Sequence, residues 1–188
     1  MIHPLTQLPV SRRWQGQKFP IASVLALICR NIDSERVYLL INRAKPPYQG
    51  KWALVGGKWD FGEALAEAIV REVREETGLE TTFVALRSCI NERLLPDDEV
   101  DFGAHFVIFV SEVEAATGEA QEQAEGQVGW FSASQLEELH TRQEIVPTDY
   151  QIMQACVESF QAIPYVEAEV CARKGSQESS ILRFERQE

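Results

Sequence analysis

Positive charge is in short supply: 18 Lys and Arg stand against 29 Asp and Glu, for a formal net charge of −11. Such a balance repels nucleic acid and anionic membrane surfaces, so neither is an expected partner. Cysteine is also sparse. Cys29, Cys89, Cys156 and Cys171 are widely spaced with no C-x-x-C pair, which argues against a zinc site and reads as small buried hydrophobes in a reducing cytoplasm. No run of 18 apolar residues occurs, and the opening MIHPLTQLPVSRRW has no long apolar stretch after a basic start. Neither a membrane span nor a secretory leader is expected, and the reading is of a soluble cytoplasmic protein. There is no internal repeat or low-complexity tract, and 188 residues suffice for one well-filled domain but not comfortably for two.

What is present alternates between strand-like and helix-like patterns. Ile21 to Cys29 and Val37 to Asn42 are compact apolar runs with a turn at Asn31-Ile32-Asp33-Ser34 between them, which predicts a hairpin. The prolines of AKPPYQG, Ala44 to Gly50, keep that segment out of regular structure. Further strands are expected at Thr81 to Ile90, Phe102 to Val113 and Gln127 to Phe131, with polar connections at Leu94 to Glu99 and Ala115 to Glu125. Ser132 or Ser134 can cap a helix Gln135 to His140. Thr148 or Asp149 can cap another, Tyr150 to Ala162, whose Ile152, Cys156, Val157 and Phe160 form an apolar stripe. After Pro164, Tyr165 to Val170 alternates like an edge strand and Ile181 to Phe184 can return beside it across Lys174-Gly175-Ser176. This tail could extend the sheet, close over a site or serve a dimer contact.

The most informative segment is Gly57 to Leu79, GKWDFGEALAEAIVREVREETGL. Leu65, Ile69 and Val73 recur every four residues, so the segment reads as a helix anchored along one side. Gly62 suits its start, with Glu63 and Glu67 near the positive end of the helix dipole, and Gly78 suits a left-handed stop. Glu72, Glu75 and Glu76 lie three and four apart and project from one turn. Carboxylates that close repel one another unless a cation lies between them, and Mg²⁺ or Mn²⁺ prefers oxygen ligands of this kind. Such acids can equally be a solvated face, and the glycines a plain turn.

The frame around the acids argues for a site. Gly57, five residues, Glu63, seven residues, Arg71-Glu72-Val73, one residue, Glu75-Glu76, one residue, Gly78-Leu79 resembles the signature of the Nudix (MutT-like) hydrolases at every specified position. Flanks of the same kind occur at Gly50 to Leu54 before Gly56-Gly57 and at Glu125-Gly126-Gln127 before Trp130-Phe131, so the resemblance covers about residues 20 to 160. Val55 departs from it, standing where many members have proline. The resemblance implies an α/β fold, an α/β/α sandwich with a mixed sheet between helices, in a domain over residues 1–163 with residues 164–188 as an extension.

It also implies metal-assisted cleavage of a nucleoside diphosphate linked to another group, with Mg²⁺ or Mn²⁺ as cofactor. On this reading Glu72 and Glu76 are metal ligands, Glu75 shares a second metal or its waters, and the Gly56 carbonyl is a further ligand. Arg71 pairs with Glu75 or another of these carboxylates, and Glu63 tethers the loop to the helix. Glu125 is the first choice for the additional acid that completes the metal site or acts as base, with Glu122 and Glu119 as alternatives. An anionic nucleotide entering so acidic a protein needs local cations, for which Arg43, Lys45, Lys51 and Lys58 around the glycine turn are candidates. Trp52, Tyr48 and Phe102 are candidates for stacking on a base, although aromatics beside apolar runs are more often core. His105 reads as structural.

ADP-ribose or a nucleoside diphosphate sugar is the first substrate guess, and Pro96 falls near where a proline accompanies ADP-ribose hydrolysis in some relatives. The tyrosine of dinucleoside polyphosphate hydrolases and a coenzyme A signature are both absent. A nucleoside triphosphatase releasing pyrophosphate is the rival. A non-catalytic nucleotide sensor is the third reading, weakened by a tail too short and too acidic to bind DNA. A homodimer matches the general frequency of symmetric oligomers.

Overall fold

The structure is a computed structural model that describes residues 4–96, 102–115, 118–158, 161–172 and 179–187. Parts of the expected loops at 94–99 and 115–125, Phe160 of the expected helical stripe and the expected turn at 174–176 lie outside the described residues. Six strands form one sheet: β1 (Ile21–Ile32), β2 (Glu35–Arg43), β3 (Trp52–Lys58), β4 (Thr81–Leu94), β5 (Ala104–Ala115) and β6 (Gly126–Ser132). Their order is β4-β5-β1-β3-β2-β6, with β1 and β5 parallel and the other neighbours antiparallel. Asp33 and Ser34 make the β1–β2 turn with φ of 49° and 69°, the left-handed pair whose twist suits a two-residue hairpin.

α1 (Leu65–Thr77) covers one face of this sheet, while α2 (Ala133–Thr141) and α3 (Pro147–Glu158) cover the other. Two cores result. Val24, Leu39, Ile41, Ala53 and Val55 meet Leu65, Ala68, Ile69 and Val73 of α1, and Leu40, Leu54, Ile108 and Val110 meet Leu136, Leu139, Ile152 and Met153 of the other helices. This is the mixed α/β/α sandwich, and the alternation of side chains along β2 and β3 is what feeds both layers. The four-residue apolar period of α1 is realised in full: Leu65, Ile69 and Val73 have no exposed surface, and each contributes roughly 1.5–3 kcal/mol of burial. Gly78 ends the helix in the left-handed region at φ 71°, its N–H donating to Arg74 O.

Ser132 rather than Ser134 caps α2, in a reciprocal pair with Gln135. The third helix starts at Pro147, earlier than Tyr150, which puts Asp149 in its first turn instead of at its cap. The strand over Trp52–Lys58 is an element that the glycine pair obscures in the sequence. In the tail, β7 (Tyr165–Ala172) and β8 (Ser179–Gln187) pair with each other as a separate two-stranded sheet and do not extend the six-stranded one. Among the described residues no helix is long and apolar enough to cross a membrane.

Candidate active site

β1 changes partner along its length, pairing with β3 at Ser23 to Ala26 and with β2 at Cys29 to Ile32. On this side of the molecule lies a cleft of about 600 Å³, a volume suited to a nucleotide-sized ligand. Five neighbouring strands contribute to it: β4 (Glu92), β5 (Phe106, Ile108), β1 (Ser23, Leu25), β3 (Leu54, Gly56, Gly57, Lys58) and β2 (Ile41, Arg43). The three interstrand steps from β5 to β2, of about 4.8 Å each, make this stretch of sheet roughly 14 Å across.

Glu72, Glu75 and Glu76 of α1 face this cleft together with Glu125 from the segment before β6. Gly57 explains how the helix comes so near: a Cβ there would sit 2.5 Å from Glu72 Oε2, so a side chain would push that carboxylate away. The neighbouring Gly56 N–H donates to Glu76 Oε2 at 2.9 Å, which clamps β3 to the last turn of α1. Burial drives the Glu76 carboxyl up to about 8, against the Gly56 hydrogen bond and Arg43, with Glu72 and Glu125 adding repulsion. Glu72 is raised too, first by burial and then by Glu75 and Asp60, while Arg71 opposes the shift. Two desolvated carboxylates that repel each other make a site in which a divalent cation is the natural stabiliser.

Arg71 organises the acids. Its Nε and Nη2 donate to the two oxygens of Glu63 at 2.6 and 2.9 Å, its Nη1 reaches Glu72 at 2.8 Å and Glu75 at 3.3 Å, and Nη2 also donates to Lys58 O at 3.1 Å. Those bonds raise the guanidinium pKa and lower that of Glu63. Glu63 thus ties the loop after β3 to α1, its Oε2 also accepting from Asp60 N at 3.2 Å. Among the described residues no three acidic, histidine or cysteine side chains converge as a ready-made metal cage. Each carboxylate has its own partner: Arg71 for Glu72 and Glu75, Gly56 N–H for Glu76, and Lys45 for Glu125 at 2.7 Å. The donor set fits Mg²⁺ or Mn²⁺ in chemistry, being all oxygen and half-buried.

The expected site residues divide between cleft and elsewhere. Arg43, Lys45, Tyr48 and Lys58 line the cleft, and Arg43 is held by a bond from its Nε to Pro47 O at 2.8 Å. Lys51, Trp52 and Phe102 are not among its lining residues. Trp52 packs edge-on to Phe131 at 4.6 Å between ring centres, on the α2/α3 side. Of the three loop acids only Glu125 lines the cleft; Glu119 lies within 3.7 Å of Arg30 with its side chain 82% exposed. His105 is structural, its backbone N–H and C=O both bonded to the Gln17 amide and its ring to Asn91.

Several cleft residues carry no pattern that sequence reasoning could use. Trp14 reaches the cleft from the N-terminal segment, edge-on to Phe106 at 5.3 Å, with Lys58 Nζ 5.2 Å from its ring centre and bonded to Gln15 Oε1 at 2.7 Å. Glu92 of β4 and Asp149 of α3 bring two further carboxyls. Asp149 is 6% exposed and its Oδ2 accepts from Leu54 N at 2.7 Å; burial pushes it up to about 7.

The NUDIX domain model matches residues 20–156. An ADP-ribose pyrophosphatase from Methanocaldococcus jannaschii is 31% identical over 122 residues, 63% of this chain and 68% of that protein. A nucleoside triphosphatase NudI from Enterobacter sp. is 42% identical over 62 residues, 31% of this chain and 44% of that one. The chain spans from 17% to 68% of the length of the curated relatives it matches. Among solved structures, a MutT NUDIX hydrolase from Burkholderia pseudomallei is 27% identical with a TM-score of 0.59, over 73% of this chain and 98% of that one. A match over most of the chain, centred on the helix and glycine turn that build the cleft, places this protein in the NUDIX domain family.

Proposed function

We propose that this protein hydrolyses a phosphoanhydride bond in a nucleoside diphosphate linked to another moiety, with ADP-ribose or a nucleoside diphosphate sugar as the first substrate class. The observation that carries this reading is the meeting, in one cleft, of desolvated Glu72 and Glu76 with Arg43, Lys45 and Lys58 and an aromatic wall of Trp14 and Phe106. The acids suit a divalent cation, the bases suit phosphate oxygens, and the aromatic wall suits a base or sugar.

Glu72 and Glu76, with Glu75 and the Gly56 carbonyl as further candidates, would hold Mg²⁺ or Mn²⁺. When bound, such a cation neutralises phosphate oxygens and lowers the pKa of a bound water. Arg71 fixes the direction of Glu72 through its own anchor on Glu63. Arg43 and Lys58, which both line the cleft, would steady the two phosphates. Glu125 accepts the proton from the attacking water, released for that role from Lys45. One P–O bond forms to water oxygen, the bridging P–O bond breaks, and ADP-ribose would yield AMP and a sugar phosphate.

The pyrophosphatase relative supports this reading over the longer stretch of chain, while the shorter match to a nucleoside triphosphatase supports the alternative, release of pyrophosphate from a nucleoside triphosphate. A Mg²⁺ and Mn²⁺ hydrolysis screen over ADP-ribose, nucleotide sugars, dinucleoside polyphosphates and nucleoside triphosphates tests both, with products resolved by chromatography. AMP plus sugar phosphate is the expected pair. Nucleoside monophosphate plus pyrophosphate would favour the alternative, and tight binding without turnover would replace both by a sensor.

A further inference from the structure

The β7–β8 hairpin stands apart from the six-stranded sheet yet touches the start of the acidic helix. That start lacks an ordinary cap. Ala64 occupies the cap position without a side-chain acceptor, so the first N–H groups of α1 need partners from elsewhere. Glu67 Oε2 accepts from Ala64 N at 2.8 Å from within the helix. Glu167 Oε1 accepts from Leu65 N at 3.0 Å from a strand 102 residues away in sequence. A carboxylate is the favoured group at this end of a helix dipole.

Glu167 is itself held in place. Tyr165 OH donates to the same Oε1 at 2.5 Å, and the Tyr165 ring packs on the core cluster that contains Leu65, Ala68 and Ile69. A cavity of about 130 Å³ lies beside these groups, lined by Ala64, Ala66, Glu67, Phe83 and Arg183. The hairpin therefore restrains the helix start through the Tyr165–Glu167 pair rather than through continuous packing. From Leu65 to Glu72 the helix rises about 10 Å at 1.5 Å per residue, so Glu167 is remote from the cleft and acts through α1.

The geometry points to Glu167 as a positioning residue: the C-terminal hairpin supplies the missing cap of the helix that presents Glu72, Glu75 and Glu76, and so sets how well those acids hold a divalent cation. This rests on the metal reading of the cleft. A frayed first turn slackens the adjoining Glu63, whose carboxylate holds Arg71 and through it Glu72 and Glu75, and so spreads those carboxylates over more orientations, which weakens cation binding before it weakens nucleotide binding.

The test uses the full chain with Glu167→Ala, Glu167→Gln and Tyr165→Phe, and reads amide hydrogen exchange in the first turn of α1, Mn²⁺ half-saturation, and KM for the nucleotide at saturating Mn²⁺. For Glu167→Ala the expected result is faster exchange at Leu65 and a three- to tenfold higher Mn²⁺ half-saturation with KM unchanged. Glu167→Gln keeps an acceptor oxygen and should stay within twofold of wild type, with Tyr165→Phe between the two. A lowered unfolding midpoint in Glu167→Ala with Mn²⁺ half-saturation unmoved would make the contact merely structural and overturn the inference. A wild type that binds no Mn²⁺ would overturn the reading of the cleft, and this inference with it, whereas normal wild-type binding confines any failure to Glu167.

Discussion

The floor of the cleft and its walls are built on opposite plans. The floor comes from one continuous stretch, β3 to α1, in which Gly57 admits Glu72, Gly56 holds Glu76 and Arg71 joins Glu63, Glu72 and Glu75. The walls come from distant places: Trp14 near the start of the chain, Arg43 at the end of β2 and Lys45 and Tyr48 in the loop after it, Glu92 on β4, Glu125 before β6 and Asp149 on α3. Wall contacts are also looser. The Lys45–Glu125 pair has side chains 64% and 44% exposed, against 21% and 12% for Arg71–Glu72, and pairs as open as the first contribute little rigidity. On the proposed reading the floor carries the chemistry and the looser wall pair leaves room for the substrate's other end.

The largest test of that contrast strikes the floor. Glu76→Gln is expected to lower turnover roughly a hundredfold or more, beyond the 10- to 100-fold typical of groups one step removed from a metal. Its amide oxygen can still accept from Gly56 N–H, so the fold should survive. It should also gain stability in EDTA near pH 8. Glu76 has a folded-state pKa raised to about 8 from 4.5, so its ionisation disfavours the folded state increasingly as pH rises through that interval, and Gln removes the burden. Thermal melts at pH 4 and pH 8 check this: a gain is expected at the higher pH and none at the lower. Equal activity of mutant and wild type would remove Glu76 from the reaction.

Next in size is Arg71→Lys. Lysine keeps the charge but cannot hold both oxygens of Glu63 while also reaching Glu72 and Lys58 O. A roughly 10- to 100-fold fall in kcat/KM is expected, mostly as weaker metal activation, measurable as a higher Mg²⁺ concentration for half-maximal rate. An unchanged Mg²⁺ dependence would mean that Arg71 braces the fold without orienting the acids.

The same contrast explains what could be read from the sequence. The acidic helix was legible because its apolar period, its glycine stop and its acids are local in the chain and all must be satisfied within one stretch. Even its link to Glu63 follows a fixed spacing. Among the wall residues, Arg43, Lys45 and Tyr48 were legible because they lie just before that stretch, and Glu125 through the resemblance of its Glu125-Gly126-Gln127 flank. Trp14 carries no local signal, and its place depends on the N-terminal segment pairing with Gly103, where Gly103 N donates to Arg12 O and Trp14 N to Gly103 O. Trp52 had the right residue type near the glycine pair, but it packs on Phe131, and neither it nor Phe102 lines the cleft.

A wall test is correspondingly milder. Trp14→Ala is expected to raise KM for the preferred nucleotide about tenfold, in line with roughly 1–3 kcal/mol for stacking a base on an aromatic ring, and to leave kcat near wild type. Steady-state kinetics at saturating Mg²⁺ checks it. A fall in kcat with KM unchanged would move Trp14 from wall to floor and break the comparison.

The smallest effect on turnover is expected from Asp149→Asn, because this buried wall carboxyl bonds to a backbone N–H and not to the acids of α1. Its Oδ2 holds the Leu54 N–H, so it joins α3 to β3 on the face opposite α1. Burial raises it from 3.8 to about 7, with Glu92 adding to the shift and the Leu54 bond and Arg43 opposing it. The unfolded chain releases this proton near pH 4 and the folded chain near pH 7, so the unfolded state binds fewer protons in between and stability falls as pH rises across that window. One such group contributes a slope of up to about 1.4 kcal/mol per pH unit. Asn can accept the same bond without ionising, so urea titrations from pH 4 to pH 8 should give a flatter stability profile for Asp149→Asn than for wild type. Asp149→Ala instead leaves a buried N–H without its acceptor and should cost about 1–3 kcal/mol at every pH. Identical slopes in Asp149→Asn and wild type would mean that Asp149 adds nothing to the pH dependence of stability in this window, and that other groups, Glu72 and Glu76 among them, carry it.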